Sequence, residues 1–539
     1  MKLAIESLKK SFIVGCSLLI LAGISMRFYQ INANIFFYYD EGMYLTHNIG
    51  FLDYMQMHPP AGFKQFIKYL EVCMHVALSD GKALWFFIAN LRSFIFDVNA
   101  WFFTRLVSAI FGTLTLFLTY RFAQRYFHSA WIGLLALGLL AVFPSHVYYS
   151  RLGIQEALST FCFLLGMYWY IFPKKFQLRT ILSGVFFACV FFSNYRMIVI
   201  PALVFFVEIF GAFAQKRGVD WRKYVYNTLT FLAVVFLIGN IDHGANTKIT
   251  FAWMFYQKHL AATQGKVEAE LFNHFAYPYF IFRFETILFG LFFFGNIYLI
   301  SRKEWKKLLP FALACCHMVI FSFALEKSVR FLCVVMPFMV MAVAGLIGYS
   351  WQKLPTVRWK NILLIVVCLM VGQQFLKSYH IMHFQSDYEN AMMDLKKDDS
   401  LPTVLSTQFK VQQFFAMPRN TVAAMPHQIN HLVMFFQRGY RYIVIDPQAY
   451  VSYTKDGARF SQPLQEPLNF ILTNVPPKRV YEHFSPAMLE RFVLEHNVNL
   501  RTSLAFLQKN QDNKLGKLYV YDIKESLAIL VKYMQSQAR

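Results

Sequence analysis

Residues 326–351 read EKSVRFLCVVMPFMVMAVAGLIGYSW. From Phe331 to Trp351 no residue carries a charge, and about 20 apolar residues of helix are what a hydrocarbon core of about 30 Å requires. Two cations, Lys327 and Arg330, stand at the head of the run. Similar runs recur on both sides of it, at about 11–28, 102–122, 129–148, 152–172, 178–194, 196–214, 223–241, 279–300, 307–325 and 359–377. Together with 331–351 they predict a polytopic α-helical membrane protein of about eleven transmembrane helices. Alternating hydrophobicity, the mark of a β-barrel, is absent. The bulk composition agrees: of 539 residues 57% are hydrophobic and 18% aromatic, but only 15% charged, far from an ordinary soluble enzyme.

The formal net charge of +22 would suggest nucleic acid in a soluble protein, yet its distribution follows membrane topology. Lys2/Lys9/Lys10, Arg121/Arg125, Lys174/Lys175/Arg179, Lys216/Arg217/Arg222/Lys223, Arg302/Lys303/Lys306/Lys307 and Lys353/Arg358/Lys360 fall on alternate connections. By the positive-inside rule these connections are cytoplasmic, so no nucleic-acid partner is expected. The basic start followed by an apolar run also begins like a secretory signal, but no A-x-A-type cleavage site follows, and a retained anchor with a cytoplasmic N-terminus is expected. The opposite side then receives a loop at about 29–101, a second at about 242–278 and everything after about 377. That division predicts a transmembrane domain over 1–377 and a soluble extracytoplasmic domain over 378–539. Strand-like PTVLST, YRYIVID and LYVYDI alternate in the latter with helix-like HQINHLVMFFQRG and ESLAILVKYMQSQ, which predicts an α/β domain. It has no phosphate-binding glycine loop. Cys16, Cys162, Cys189, Cys315, Cys316 and Cys368, six of the eight cysteines, lie in apolar runs, where a thiol acts as a small hydrophobe. No disulfide framework, metal cluster or cofactor is expected.

Residues with chemistry gather outside. Asp40 and Glu41 sit among aromatics in FFYYDEGMYLTHN soon after the first run, and His58 precedes Pro59 and Pro60. An acidic pair in a loop reads first as a solvated one, and His58 equally as part of a rigid corner. The turn after the third run carries Arg151, and Glu156 follows just inside the next helix. Charge there is costly, about 2.5–3.5 kcal/mol at a helix centre. Arg151 is long enough to snorkel to the surface; Glu156 is shorter, so a paired or functional role is favoured. SNYR brings Asn194 and Arg196 to a third turn, and Lys327 and Arg330, three apart, share a face if the helix starts with them. Two cations at a helix start suit an anion better than the dipole. Cations on three outer turns, on the same side as the acidic pair, are what binding a lipid phosphate beside a general base needs.

The YYDEGMY motif, the HPP downstream, the segment TRLVSAIFGTLTLFLTYRFAQRYF with its Arg105, the SRLGIQEAL turn and EKSVRFLCVVMP resemble, in order and sidedness, the C-superfamily glycosyltransferases that use polyprenyl-phosphate sugars. Protein O-mannosyltransferases and the lipid A aminoarabinose transferase are among their members. The resemblance covers most of the membrane portion. It implies that Asp40 is the catalytic carboxylate with Glu41 in support, that Lys327, Arg330 and Arg151 serve the donor phosphate, and that Glu156, His58, Arg196 and Arg105 line the cavity. Many relatives have Asp where this chain has Glu156. The implied partners are a polyprenyl-phosphate sugar, the bilayer, and an acceptor glycan, lipid or protein at a bacterial inner membrane. An O-antigen ligase or polymerase, and a transporter or flippase, are the alternative readings.

Overall fold

A computed structural model describes residues 2–31, 41, 62–64, 82–95, 100–172, 176–239, 271–324, 327–416, 421–447, 451–454, 457–460, 464–495, 499–509, 512 and 514–537. The chain forms two compact units: Met1–Ile31, Phe51–Lys266 and His274–Met382 make the first, and Asn32–Gly50, Val267–Asn273 and His383–Arg539 the second.

Apolar helices dominate the first unit, as expected where every backbone group must be satisfied internally. In chain order they are α1 (Lys2–Phe28), α2 (Ala83–Ile95), α3 (Ala100–Tyr126), α4 (Ala130–Ala141), α5 (Pro144–Arg151), α6 (Glu156–Ile171), α7 (Phe176–Ser193), α8 (Ile200–Gln215), α9 (Trp221–Gly239), α10 (Ile287–Phe294), α11 (Leu309–Ser322), α12 (Met336–Lys353) and α13 (Val357–Met382). Against the eleven predicted crossings, four stretches among the described residues are single helices long and apolar enough to span: Trp101–Tyr126, Tyr195–Gln215, Val329–Lys353 and Val357–Met382. The bent pair α4 and α5 passes the same test jointly. Ser17–Phe28, Leu178–Ser193, Ile287–Ser301 and Leu309–Ser322 are shorter apolar helices. Val329–Lys353 is enclosed along its whole apolar stretch, so the run 331–351 is the centre of the bundle.

Two predicted spans are interrupted. The run 279–300 is built of short helical pieces, and Thr286 between them is extended, at φ −154° and ψ 159°, its hydroxyl accepting from the Phe289 amide at 3.0 Å to start α10. The run 129–148 bends by 59° between α4 and α5. Proline explains the second break, because Pro144 stands at the first position of α5 and has no N–H to donate one turn back to Leu140. Carbonyls at the break gain side-chain donors: the Arg27 guanidinium donates to Leu140 at 3.1 Å, which also accepts from the Phe143 amide at 3.3 Å, and to Ala141 at 2.8 Å, and the Ser378 hydroxyl donates to Val142 at 2.9 Å. Gly23 lets α1 approach that break, since a Cβ would stand 2.5 Å from the Ala141 oxygen.

A second buried polar group ties α6, α8 and α9. Glu208 meets Arg217 at 2.6 Å and Lys223 at 3.1 Å and accepts from the Tyr170 hydroxyl at 3.1 Å. A carboxylate so enclosed persists because its oxygens are all matched.

In the second unit a five-stranded sheet has the order β2-β1-β3-β7-β6, with β1 (Val404–Ser406), β2 (Val422–Ala424), β3 (Tyr442–Ile445), β6 (Arg479–Tyr481) and β7 (Leu518–Asp522). The hairpin β4 (Val451–Thr454) and β5 (Gly457–Phe460) stands apart from it. The strands predicted from PTVLST, YRYIVID and LYVYDI are β1, β3 and β7. β1 runs parallel to β2 and β3, whereas β7 is antiparallel to β3 and β6. Helices His431–Gln437 and Ile523–Gln537 occupy the two helix-like segments, and Leu405, Leu432, Ile443, Ile445, Leu468, Ile471 and Tyr521 fill the core. At the carboxyl ends of β1 and β3, Asp446 donates its amide to the Thr407 hydroxyl at 2.8 Å and accepts from the Tyr388 hydroxyl.

The tight approach at Gly23 is testable. Gly23→Ala places a methyl group against a backbone oxygen that has nowhere to move, so the thermal midpoint of the detergent-solubilised protein should fall by an amount worth about 1–3 kcal/mol. An unchanged midpoint would show that α1 and α4 are not in contact there.

Candidate functional site

Three turns of the first unit converge on one pocket. Its polar walls are Glu156 and Ser159 from the start of α6, Asn194 from the turn after α7, and Arg330; its apolar walls are Met197, Phe321, Phe331, Cys333 and Val334. The enclosed space between them is small, about 10 Å³, room for roughly one water.

Local structure explains each contribution. Glu156 opens α6, where a carboxylate complements the positive end of the helix dipole. Gln155 donates to its Oε1 at 3.1 Å, and the carboxylate is 2% exposed. Asn194 caps the short 3₁₀ turn Tyr195–Val199 by accepting from the Arg196 amide at 3.3 Å. Ser328 does the same for a second 3₁₀ turn, Val329–Val335, accepting from the Arg330 amide at 3.4 Å. His317 of α11 fixes that turn from outside, its Nε2 lying 2.6 Å from the Phe331 carbonyl. A carbonyl only accepts, so Nε2 carries the proton.

Phe331 joins the two cationic turns. The guanidinium carbon of Arg196 lies 4.4 Å from its ring centre and that of Arg330 lies 5.6 Å away. Cations on an aromatic face keep their charge while shedding water.

Of the site residues expected from the sequence, Glu156 and Arg330 share the pocket, and Arg196 adjoins it through Phe331. Lys327 precedes the 3₁₀ turn, so it does not share a helix face with Arg330 as the spacing suggested: the helix starts at Val329 rather than at Lys327. Its ammonium is buried and donates to the Ala324 carbonyl. Burial pushes it down to about 8. Arg151 neither snorkels nor lines the pocket. It is 2% exposed, and its guanidinium donates to the carbonyls of Met26, Tyr29 at 2.9 Å and Met382 at 3.1 Å. Arg105 is likewise enclosed, 4.5 Å above the Trp101 ring and reaching the Ile31 carbonyl at 3.5 Å. Both therefore grip the end of the segment that α1 begins. Glu41 is buried. Asp40 and His58 lie outside the described residues.

Arg27, His146 and His317 are further buried polar residues that no motif marks. Each was visible as a titratable group inside an apolar run, the signal that such residues give in membrane helices.

Comparison with known proteins agrees with this architecture. The archaeal oligosaccharyltransferase AglB from Archaeoglobus fulgidus, in complex with an inhibitory peptide and a dolichol-phosphate, superposes with a TM-score of 0.55 at 10% identity over 92% of this chain and 72% of that one. ArnT from Cupriavidus metallidurans, bound to undecaprenyl phosphate, gives 0.52 at 11% identity over 82% of this chain and 94% of its own. The fold is thus shared with these two proteins, and the resemblance drawn from the motifs is borne out. More narrowly, residues 83–241 match the family model described as dolichyl-phosphate-mannose-protein mannosyltransferase, a stretch that holds Arg105, Arg151, Glu156 and Arg196. No curated protein matches by sequence.

If Phe331 holds the two guanidiniums, Phe331→Leu should cost roughly 1–2 kcal/mol of stability through the lost ring contacts. Thermal unfolding of the single variant, of Arg196→Ala and of the double variant measures it. Strictly additive losses would show that ring and cation do not interact.

Proposed function

We propose that the chain is a membrane glycosyltransferase that moves a sugar from a polyprenyl-phosphate donor to an extracytoplasmic acceptor, with inversion at the sugar carbon. The observation that carries the reading is the convergence of Glu156, Asn194 and Arg330 on one pocket, with Arg196 beside it. The dolichol-phosphate and undecaprenyl phosphate held by the two structural neighbours support a donor of that class.

The chemistry follows from the charges. The acceptor hydroxyl loses its proton to Asp40 as its oxygen bonds to the anomeric carbon, and the bond from that carbon to the phosphate oxygen breaks. The departing polyprenyl phosphate takes the electron pair and is stabilised by Arg330 and Lys327. Glu41 supports Asp40, and Glu156 and His58 line the cavity that takes the donor. Arg151 and Arg105 act through the backbone they hold, not on the phosphate. No metal is needed for these steps. The protein sits in a bacterial inner membrane with its N-terminus inside and 378–539 outside, where activated sugars must be lipid-linked. Sugar class and acceptor, whether envelope lipid, glycan or protein, are matters for product analysis.

A transporter would leave a broken span open to its cargo. Here carbonyls at the break between α4 and α5 accept from Arg27 and Ser378, which favours an enzyme. Block transfer from a lipid diphosphate would instead mark a ligase or polymerase.

Asp40→Asn should leave the protein in the membrane and abolish transfer, seen by mass spectrometry of envelope glycans and lipids as loss of one monosaccharide; unimpaired transfer overturns the assignment. The second expectation concerns pH. Lys327 is charged below about 8, so affinity for undecaprenyl phosphate should hold below that pH and weaken as it is exceeded. Lys327→Arg should abolish this alkaline decline, because a guanidinium keeps its proton. A decline that survives the substitution would remove Lys327 from the phosphate site.

A further inference from the structure

We propose that Arg27 is a positioning residue for this reaction: it holds the bend between α4 and α5, and the bend sets where Glu156 enters the pocket. The proposal rests on the transferase reading above.

Arg27 is completely buried. Its guanidinium donates to Gly23 of its own helix at 2.5 Å and across to Ala141 at 2.8 Å and Leu140 at 3.1 Å. A cation at a helix carboxyl end is favoured by the dipole, and of these carbonyls that of Leu140 is the one to which Pro144 has no N–H to donate. The remaining neighbour is Nδ1 of His146, at 2.8 Å from the guanidinium. Arginine only donates, so Nδ1 accepts, the proton is on Nε2 and the imidazole is neutral. Arg27 therefore keeps the single positive charge of this cluster and fastens the last turn of α4 to the first turn of α5.

From there the constraint runs along the backbone. α5 ends at Arg151, which grips Met26 and Tyr29 next to Arg27 in the chain. The Ser108 hydroxyl then takes the Ile154 carbonyl at 3.0 Å. Gly112 admits α5 against α3, since a Cβ would stand 2.2 Å from the Ser150 hydroxyl. Two residues past Ile154 is Glu156. With both ends of α5 and the following turn tied to α1 and α3, the direction in which α5 leaves the break fixes the carboxylate. Arg27 touches both sides of the break, Leu140 and Ala141 before it and His146 after it.

The test uses the full chain in lipid nanodiscs, as wild type, Arg27→Gln, Arg27→Lys and Ser378→Ala. Hydrogen–deuterium exchange over residues 138–151 reports the bend, and release of undecaprenyl phosphate from a panel of undecaprenyl-phosphate sugars, with cell-envelope extract as acceptor, reports the reaction. Arg27→Gln should raise exchange in 138–151 at least tenfold, leave 336–353 unchanged, and lower kcat by about 100-fold with little change in KM, the loss expected of a displaced group. Arg27→Lys, which still donates to the carbonyls, should recover part of kcat. Ser378→Ala, which leaves Arg27 in place, should loosen exchange mildly, and serves as the exchange test should Arg27→Gln fail to accumulate. Unchanged exchange, or unchanged kcat despite faster exchange, overturns the proposal, as does a rise in KM alone. A wild type that turns over no lipid-linked sugar instead defeats the transferase reading, and with exchange still raised by Arg27→Gln leaves Arg27 as a structural tie only.

Discussion

A carbonyl released by a helix break inside a bilayer has no water to turn to, and the first unit is organised around meeting that demand with arginine. Arg27 takes the carbonyls at the end of α4, Arg151 those of Met26, Tyr29 and Met382, and Arg105 that of Ile31. A guanidinium presents five donors in a planar fork, so one side chain can bind several carbonyls at once. A buried charge costs several kcal/mol when isolated, and here the negative ends of helices offset it. The price of bending the third span is thus met by residues whose charge would otherwise be a liability.

The functional consequence is rigidity at the pocket. Glu156, Asn194 and Arg330 come from separate turns, two of which are 3₁₀ segments capped by their own side chains. Short turns of that kind hold position only when their surroundings do, and the ties from His317 and the ring of Phe331 supply it. A site of this sort suits a reaction in which the leaving group is already a phosphate, because fixed cations contribute more than a mobile acid.

The sequence made the membrane class legible because apolar runs need no partner to be recognised: 102–122 and 331–351 lie within helices of the structure. The distribution of Lys and Arg grouped the turns that carry Glu156, Asn194 and Arg330 together, and these turns meet at the pocket. Pro144 announced a break, but nothing local pairs it with Arg27, more than a hundred residues upstream. Arg151 read as a phosphate ligand because its charge was visible and its carbonyl acceptors were not. Spacing alone put Lys327 and Arg330 on one helix face; the cap at Ser328 moves the helix start past Lys327. Phe331 was one more aromatic in an apolar run until folding laid two guanidiniums against it.

The central claim is that the cations at the head of the 331–351 helix hold a lipid phosphate. Its most direct test is a cryo-electron microscopy structure of the protein in nanodiscs with undecaprenyl phosphate. The account predicts phosphate density within hydrogen-bonding distance of Arg330 and Lys327, beside the pocket of Glu156 and Asn194. Phosphate bound elsewhere, with that pocket empty, would contradict it.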